Sequence, residues 1–145
     1  MPAYTRDLTV ASRCAAMFRQ ERLADTGLTG WQYSFITHLH RQPGLTQEQL
    51  ADTLHLNKSS VTRNLVSLEE AGFVRRVPSL TDKRTVQVYL TPAGEGLVPV
   101  IQRVLKEWSS LVTEGFSPEE LTQLSVLLER LRRNAENYLE AQKKK

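Results

Sequence analysis

The run from residue 45 to residue 73, "LTQEQLADTLHLNKSSVTRNLVSLEEAGF", leaves this chain few folds to choose from. Thr46, followed three residues later by Gln49, is a capping-box pair, which starts a helix by satisfying two of its orphan N–H groups. Leu50 and Leu54 then repeat at helical spacing. Asn57 offers a second N-cap, Val61, Leu65 and Leu68 recur at i, i+4 and i+7, and Gly72 marks a helix stop. The pattern predicts helices of about eight and about fifteen residues joined only by His55, Leu56 and Asn57, which is helix-turn-helix spacing.

The flanks read as further helices and one hairpin. Residues 5–25 place Leu8, Ala11, Ala15, Phe18 and Arg22 on one helical face. Thr29 and Gln32 form another capping-box pattern, and Trp31, Phe35, Ile36 and Leu39 follow until Pro43-Gly44 stops the helix. Beyond Gly72, "FVRRV" and "RTVQVYL" are short strands around the polar loop "PSLTDK", with Val86, Val88 and Leu90 alternating against Thr85, Gln87 and Tyr89. Thr91 and Pro92 then start a helix expected to reach about Glu114, with Leu97, Ile101, Leu105, Trp108 and Val112 inward and a kink at Pro99. Ser117, Pro118 and Glu120 start the last helix, whose Leu121, Leu124, Leu128, Leu131, Ala135 and Tyr138 fall at near-heptad spacing, as suits a helix lying along another helix. The terminal lysines are expected to fray.

A chain of 145 residues fits one domain with a substantial core. Its net charge is only +3, but the whole excess falls in residues 55–84, which carry Lys58, Arg63, Arg75, Arg76, Lys83 and Arg84 against Glu69, Glu70 and Asp82. Charge concentrated in that way is the footprint of a polyanion contact. With Val61, Leu65 and Leu68 inward, the opposite face of the second helix of the pair holds Ser59, Ser60, Arg63 and Ser67, with Lys58 and Thr62 at its edge. Small side chains let a helix settle into a major groove about 12 Å wide, hydroxyls bond phosphates or base edges, and an arginine chelates guanine. Alone, such a face is equally that of an ordinary solvated helix, and the hairpin decides between them. Lys83 and Arg84 stand at its tip, where Arg84 is placed to enter a minor groove. Asp82 would repel phosphate, so it is expected to hold Arg84, or Arg75 or Arg76 of the basic flank, by a charge-assisted hydrogen bond. The expected fold is mainly α with a small β-hairpin wing.

"LTGWQYSFITHL", the helix-turn-helix run and "DKRTVQVYLTPAG" together resemble the MarR family of bacterial transcription regulators over nearly the whole chain. The resemblance implies a single MarR-type domain over residues 1–145. Its winged helix-turn-helix covers about 29–91, flanked by N- and C-terminal dimerisation helices at about 4–25 and 92–140. It implies a homodimer that binds a pseudopalindromic operator in double-stranded DNA and usually represses. By position, Asn57 caps the recognition helix, Lys58, Ser59, Ser60, Thr62 and Arg63 face the major groove, and Arg84 is the wing arginine supported by Asp82. Two copies across a two-fold axis also square the discrimination of one short reading head.

Other chemistry is thinly represented. Cys14 is a redox candidate, with Arg13 and Arg19 near enough in sequence to lower a thiol pKa, although its neighbours Ala15, Ala16 and Met17 also fit a buried structural cysteine. His38 and His40 fall on different helix faces and no cysteine–histidine spacing suits zinc, so neither metal nor cofactor is expected. Trp31, Tyr33 and Trp108 are candidates for a pocket taking a small aromatic or phenolic ligand, with plain core filling as the competing reading. No nucleophile–base pair or phosphate loop suggests an enzyme. The rivals to a sequence-specific regulator are a winged helix used as a protein-interaction module and a non-specific architectural DNA-binding protein. The lone cysteine, the lack of an export signal and the lack of a long apolar run point to the cytoplasm and away from membranes.

Overall fold

Side-chain caps set where most of the helices begin in the computed structural model, which describes residues 1–145. Thr46 Oγ1 accepts the Gln49 N–H at 3.0 Å while Gln49 Oε1 accepts the Thr46 N–H at 2.9 Å, a closed capping box that opens α3 (Gln47–Leu54). Asn57 Oδ1 accepts the Ser60 N–H at 2.7 Å and opens α4 (Lys58–Glu70). The Thr91 hydroxyl accepts the Gly94 N–H at 3.1 Å at the head of α5 (Pro92–Val112). Ser117 and Glu120 form a second closed box before α6 (Pro118–Lys143), with Pro118 at its first turn. Two more helices, α1 (Ala3–Arg22) and α2 (Gln32–Arg41), precede these, separated by a short 3₁₀ turn at Ala24–Thr26.

Three strands make one antiparallel sheet: β1 (Leu45–Thr46), β2 (Val74–Pro78) and β3 (Val86–Leu90), in the order β1-β3-β2. The hairpin register sets Val74 opposite Leu90 and Arg76 opposite Val88, and β1 adds Leu45 opposite Val88. The chain reaches the hairpin through a tight helix ending. Gly72 takes φ 84°, its N–H reaches the Glu69 carbonyl at 3.0 Å, and the Phe73 N–H reaches the Leu68 carbonyl at 2.9 Å. That doubled pairing needs a left-handed residue at the corner, which glycine adopts without strain.

In the body formed by Met1–Trp108 the core lies where α2, α3, α4, the hairpin and α5 meet. Phe35, Ile36, Leu39, Leu50, Leu65, Val88 and Ile101 are completely buried. Gly94 brings α5 against the start of the hairpin so closely that a Cβ there would stand 2.1 Å from the Phe73 carbonyl oxygen. The second body, Ser109–Lys145, holds the end of α5, a turn at Gly115 with φ 84° and α6. Leu124, Val126, Leu127, Leu128 and Leu131 of α6 are all exposed. No helix is long and apolar enough to cross a membrane.

Several elements depart from the sequence expectations. The first helix ends at Arg22, and of its expected inward face Leu8 and Ala11 are exposed. Thr29 does not cap α2 with its side chain. Gln32 Oε1 does accept the Thr29 N–H at 3.0 Å, but Gly30 at φ 54° intervenes and the helix starts at Gln32. Strand β1 is two residues long, too short to carry a period. Along α5 the buried positions are Gly94, Val98, Ile101 and Val104, while Val112 is exposed, because this helix is apolar on more than one side. Pro99 lies inside α5, and α6 ends at Lys143 with Lys144 and Lys145 beyond it.

Candidate nucleic-acid interface

The turn between α3 and α4 is closed by His55 in the left-handed region, φ 54°, and by the Leu56 N–H on the Ala51 carbonyl at 3.0 Å. With Val61, Leu65 and Leu68 sealed in the core, Lys58, Ser59, Thr62 and Arg63 are exposed and Ser60 is half-buried. The N-terminal end of α4 therefore presents unpaired N–H groups, two hydroxyl-bearing side chains and two cations together, which favours an anion. Ser67 is exposed with the rest of the outward face, yet it also has a partner inside the protein. Its hydroxyl accepts the Gln32 Nε2–H at 3.2 Å, since Gln32 is buried and its amide needs a partner.

Helix and hairpin converge on one site. A cleft of about 260 Å³ is lined by Thr46, Gln47 and Glu48 from the start of α3, Lys58 and Thr62 from α4, and Arg84, Thr85 and Val86 from the wing. Gln47 Nε2 reaches the Thr62 hydroxyl at 3.3 Å, tying the two helices across the cleft. Gln47 and Glu48 escaped the sequence reading because they stand on the helix before the reading helix and touch its face only through the tertiary fold.

Asp82 holds Arg84 by a charge-assisted hydrogen bond, made to its backbone and not to its guanidinium. Asp82 Oδ1 accepts the backbone N–H of Arg84 at 3.0 Å, and Asp82 Oδ2 accepts the Thr85 hydroxyl at 3.2 Å. The carboxylate thus shapes the turn that carries Arg84 and leaves the guanidinium alone, a local side chain to backbone bond that aspartate makes readily. Arg76 is held instead by Glu69 of α4. Its backbone N–H lies 2.9 Å from Glu69 Oε2 and its Nη2 lies 3.1 Å from Glu69 Oε1. The side-chain and backbone hydrogen bonds from Arg76 hold the Glu69 carboxyl below its ordinary range. Arg75 stacks 4.8 Å from the centroid of the Tyr89 ring, its cross-strand partner. The basic flank is therefore committed to intramolecular partners, whereas Lys83 and Arg84 at the tip are exposed and make no ion pair.

The aromatic candidates separate. Trp31 and Tyr33 stack with ring centroids 6.1 Å apart, and the Arg19 guanidinium sits over both, at 5.2 and 4.7 Å. They line a groove of about 490 Å³ together with Ser34, His38, His55 and Leu56. Trp31 is 54% exposed, so it is not core filling. Trp108 is elsewhere, 5.3 Å from the Phe18 ring, and takes no part in this groove. Arg19 has its Nε buried without a hydrogen-bond partner. Turned toward Trp31 and Tyr33, Arg19 is five residues along the helix from Cys14, on a different face. Cys14 itself is exposed and free, not buried. No three histidine, cysteine or acidic side chains are grouped as metal ligands.

A short helix, a tight turn, a reading helix and a two-stranded hairpin whose arginine shares a cleft with that helix define a winged helix-turn-helix protein. The family model of the MarR family matches residues 26–85. Over 139 residues, 96% of this chain and 93% of the relative, the sequence is 27% identical to the HTH-type transcriptional regulator YybA of Bacillus subtilis (strain 168). The solved transcriptional regulator PA4135 is 32% identical, with a TM-score of 0.78 over 92% of this chain and 98% of that one. The fold also matches a Listeria monocytogenes structure of MarR family type, solved in complex with a 26-mer DNA, at a TM-score of 0.88 and 22% identity, covering 94% of this chain and 91% of that one. The chain belongs to the MarR family of transcriptional regulators.

Proposed function

We propose that this chain works as a homodimeric repressor that binds a pseudopalindromic operator, laying α4 in the major groove and Arg84 in the adjacent minor groove. The observation that carries the reading is the shared cleft, where Lys58 and Thr62 of α4 meet Arg84 of the wing. Lys58, Ser59, Ser60, Thr62 and Arg63 are the major-groove residues, and Lys83 and Arg84 the wing contacts. Asp82 supports the wing by shaping its turn. The solved DNA complex of a structural relative is consistent with this use of the fold. The exposed apolar residues of α6, with Tyr4, Leu8 and Val10 of α1, support helices 4–25 and 92–140 as the dimer contact. The working compartment is the cytoplasm, where the operator is found.

The groove beside Trp31 and Tyr33 supports release by a small aromatic or phenolic effector carrying an anion. Two stacked rings supply an apolar wall, and the Arg19 guanidinium over them supplies the countercharge.

Selection of bound duplexes from a random library at about 150 mM salt, near physiological ionic strength, tests the reading. A pseudopalindrome with half-sites about one helical turn apart is the expected result. Binding without a consensus would make the protein an architectural one. No binding would move it to the protein-interaction class.

A further inference from the structure

The hydroxyl of Thr62 is already engaged. It donates to the Lys58 carbonyl at 3.0 Å and accepts the Gln47 Nε2–H at 3.3 Å, so its only hydrogen is used inside the protein. Thr62 is nevertheless exposed, and with its hydrogen used it has left for a partner one acceptor lone pair and its methyl group. One turn further along α4, Val66 is 36% exposed, although Val61, Leu65 and Leu68 of the same helix are at 0 to 1%. Seven residues separate Val66 from Ser59, which brings it within about 20° of Ser59 around the helix axis. Thr62, Val66 and Ser59 therefore share the outward face with Arg63.

On a helix that reads a base edge, these methyl groups have a chemical counterpart. Thymine is the only base that presents a methyl group to the major groove, and contact with apolar side chains is how it is recognised there. From the engaged Thr62 hydroxyl and the outward Val66, we infer that these two residues read thymine 5-methyl groups, with Gln47 the positioning residue that holds the Thr62 rotamer. The inference rests on the operator-binding reading above and adds a base preference to it: each half-site carries thymines one turn of α4 apart, on either side of the base met by Arg63.

The test takes the selected operator duplex and replaces its thymines one at a time by deoxyuridine, which removes the methyl and leaves every hydrogen-bonding group. Dissociation constants are measured by fluorescence anisotropy for the wild type, Thr62→Ser and Val66→Ala. Thr62→Ser keeps the hydroxyl and its two bonds and removes only the methyl. For the wild type, one or two thymines per half-site should each cost about fourfold in affinity, the equivalent of about 0.8 kcal/mol for one buried methyl. In each variant the penalty at its own thymine should disappear. Wild-type binding that is indifferent to every deoxyuridine overturns the inference and leaves operator binding standing, as does a penalty that survives in both variants. Failure of the wild type to bind the all-thymine duplex overturns the operator reading itself, and this inference with it. The wild-type series needs no variant to fold.

Discussion

The carboxylate of Glu69, near the end of α4, holds Arg76 of β2 by its backbone N–H at 2.9 Å and by its guanidinium at 3.1 Å. One side chain thereby joins the reading helix, which carries Lys58, to the hairpin, which carries Arg84.

This joint has a pH signature. Hydrogen bonding by Arg76 lowers the Glu69 pKa in the folded protein below the ordinary value of 4.5. A carboxyl with a depressed folded pKa adds stability above its unfolded pKa and loses it as pH falls through the folded value. Glu69→Gln should therefore lower stability at neutral pH, and the gap to wild type should close in acid. With the Glu69 side chain 39% exposed, the expected cost is about 1 kcal/mol or less. Urea unfolding at neutral pH and well below the carboxylate range measures it. A gap independent of pH would show that the carboxylate's charge is not what matters.

Arg84 has exposure but no intramolecular ion pair, so Arg84→Ala should leave thermal unfolding unchanged. Operator affinity should fall by about 1–3 kcal/mol, the range for a groove-reading arginine. Anisotropy titration at moderate salt reads the loss, and unchanged affinity would remove Arg84 from the interface.

Asp82 acts on the backbone of Arg84, and this separates two substitutions. Asp82→Asn retains an acceptor for the Arg84 N–H and should bind the operator nearly as the wild type does. Asp82→Ala loses the turn and should cost about 1 kcal/mol of binding. Equal losses from both, measured by the same titration, would show that the carboxylate's charge and not the turn is what matters.

Gly94→Ala sets a Cβ 2.1 Å from the Phe73 carbonyl oxygen, a backbone atom that has no rotamer to move. Overpacking of this kind costs typically about 1–3 kcal/mol. Calorimetry should show a clearly lowered Tm, and a wild-type Tm would mean that α5 shifts freely against the hairpin.

Leu128 of α6 is 41% exposed in the single chain, so Leu128→Glu should leave the chain folded. If α6 forms the dimer contact, the substitution places charges in an apolar interface and light scattering should report a monomer at micromolar protein. Operator affinity should fall with it. A dimer unaffected by the change would move the contact off this stripe.

The sequence by itself determined the features whose partners lie within a turn or two. The capping boxes at Thr46 and Ser117, the Asn57 cap, the Gly72 corner and the alternation through Val88 are local, because a cap bonds three residues away and a strand period is two. Those features sufficed for the helix-turn-helix, the hairpin and the family. Only the tertiary structure decided which distant group each polar side chain meets. Ser67 turned to Gln32, Arg76 to Glu69, Arg75 to Tyr89 and Arg19 to Trp31 and Tyr33, and Trp108 left the aromatic groove for Phe18. Periodicity likewise marked α5 as apolar without saying which side would be covered, since a helix apolar on more than one side satisfies the same spacing. Hydrogen bonds and ring contacts between elements depend on how those elements are brought together, and a one-dimensional pattern records only the spacing along each of them.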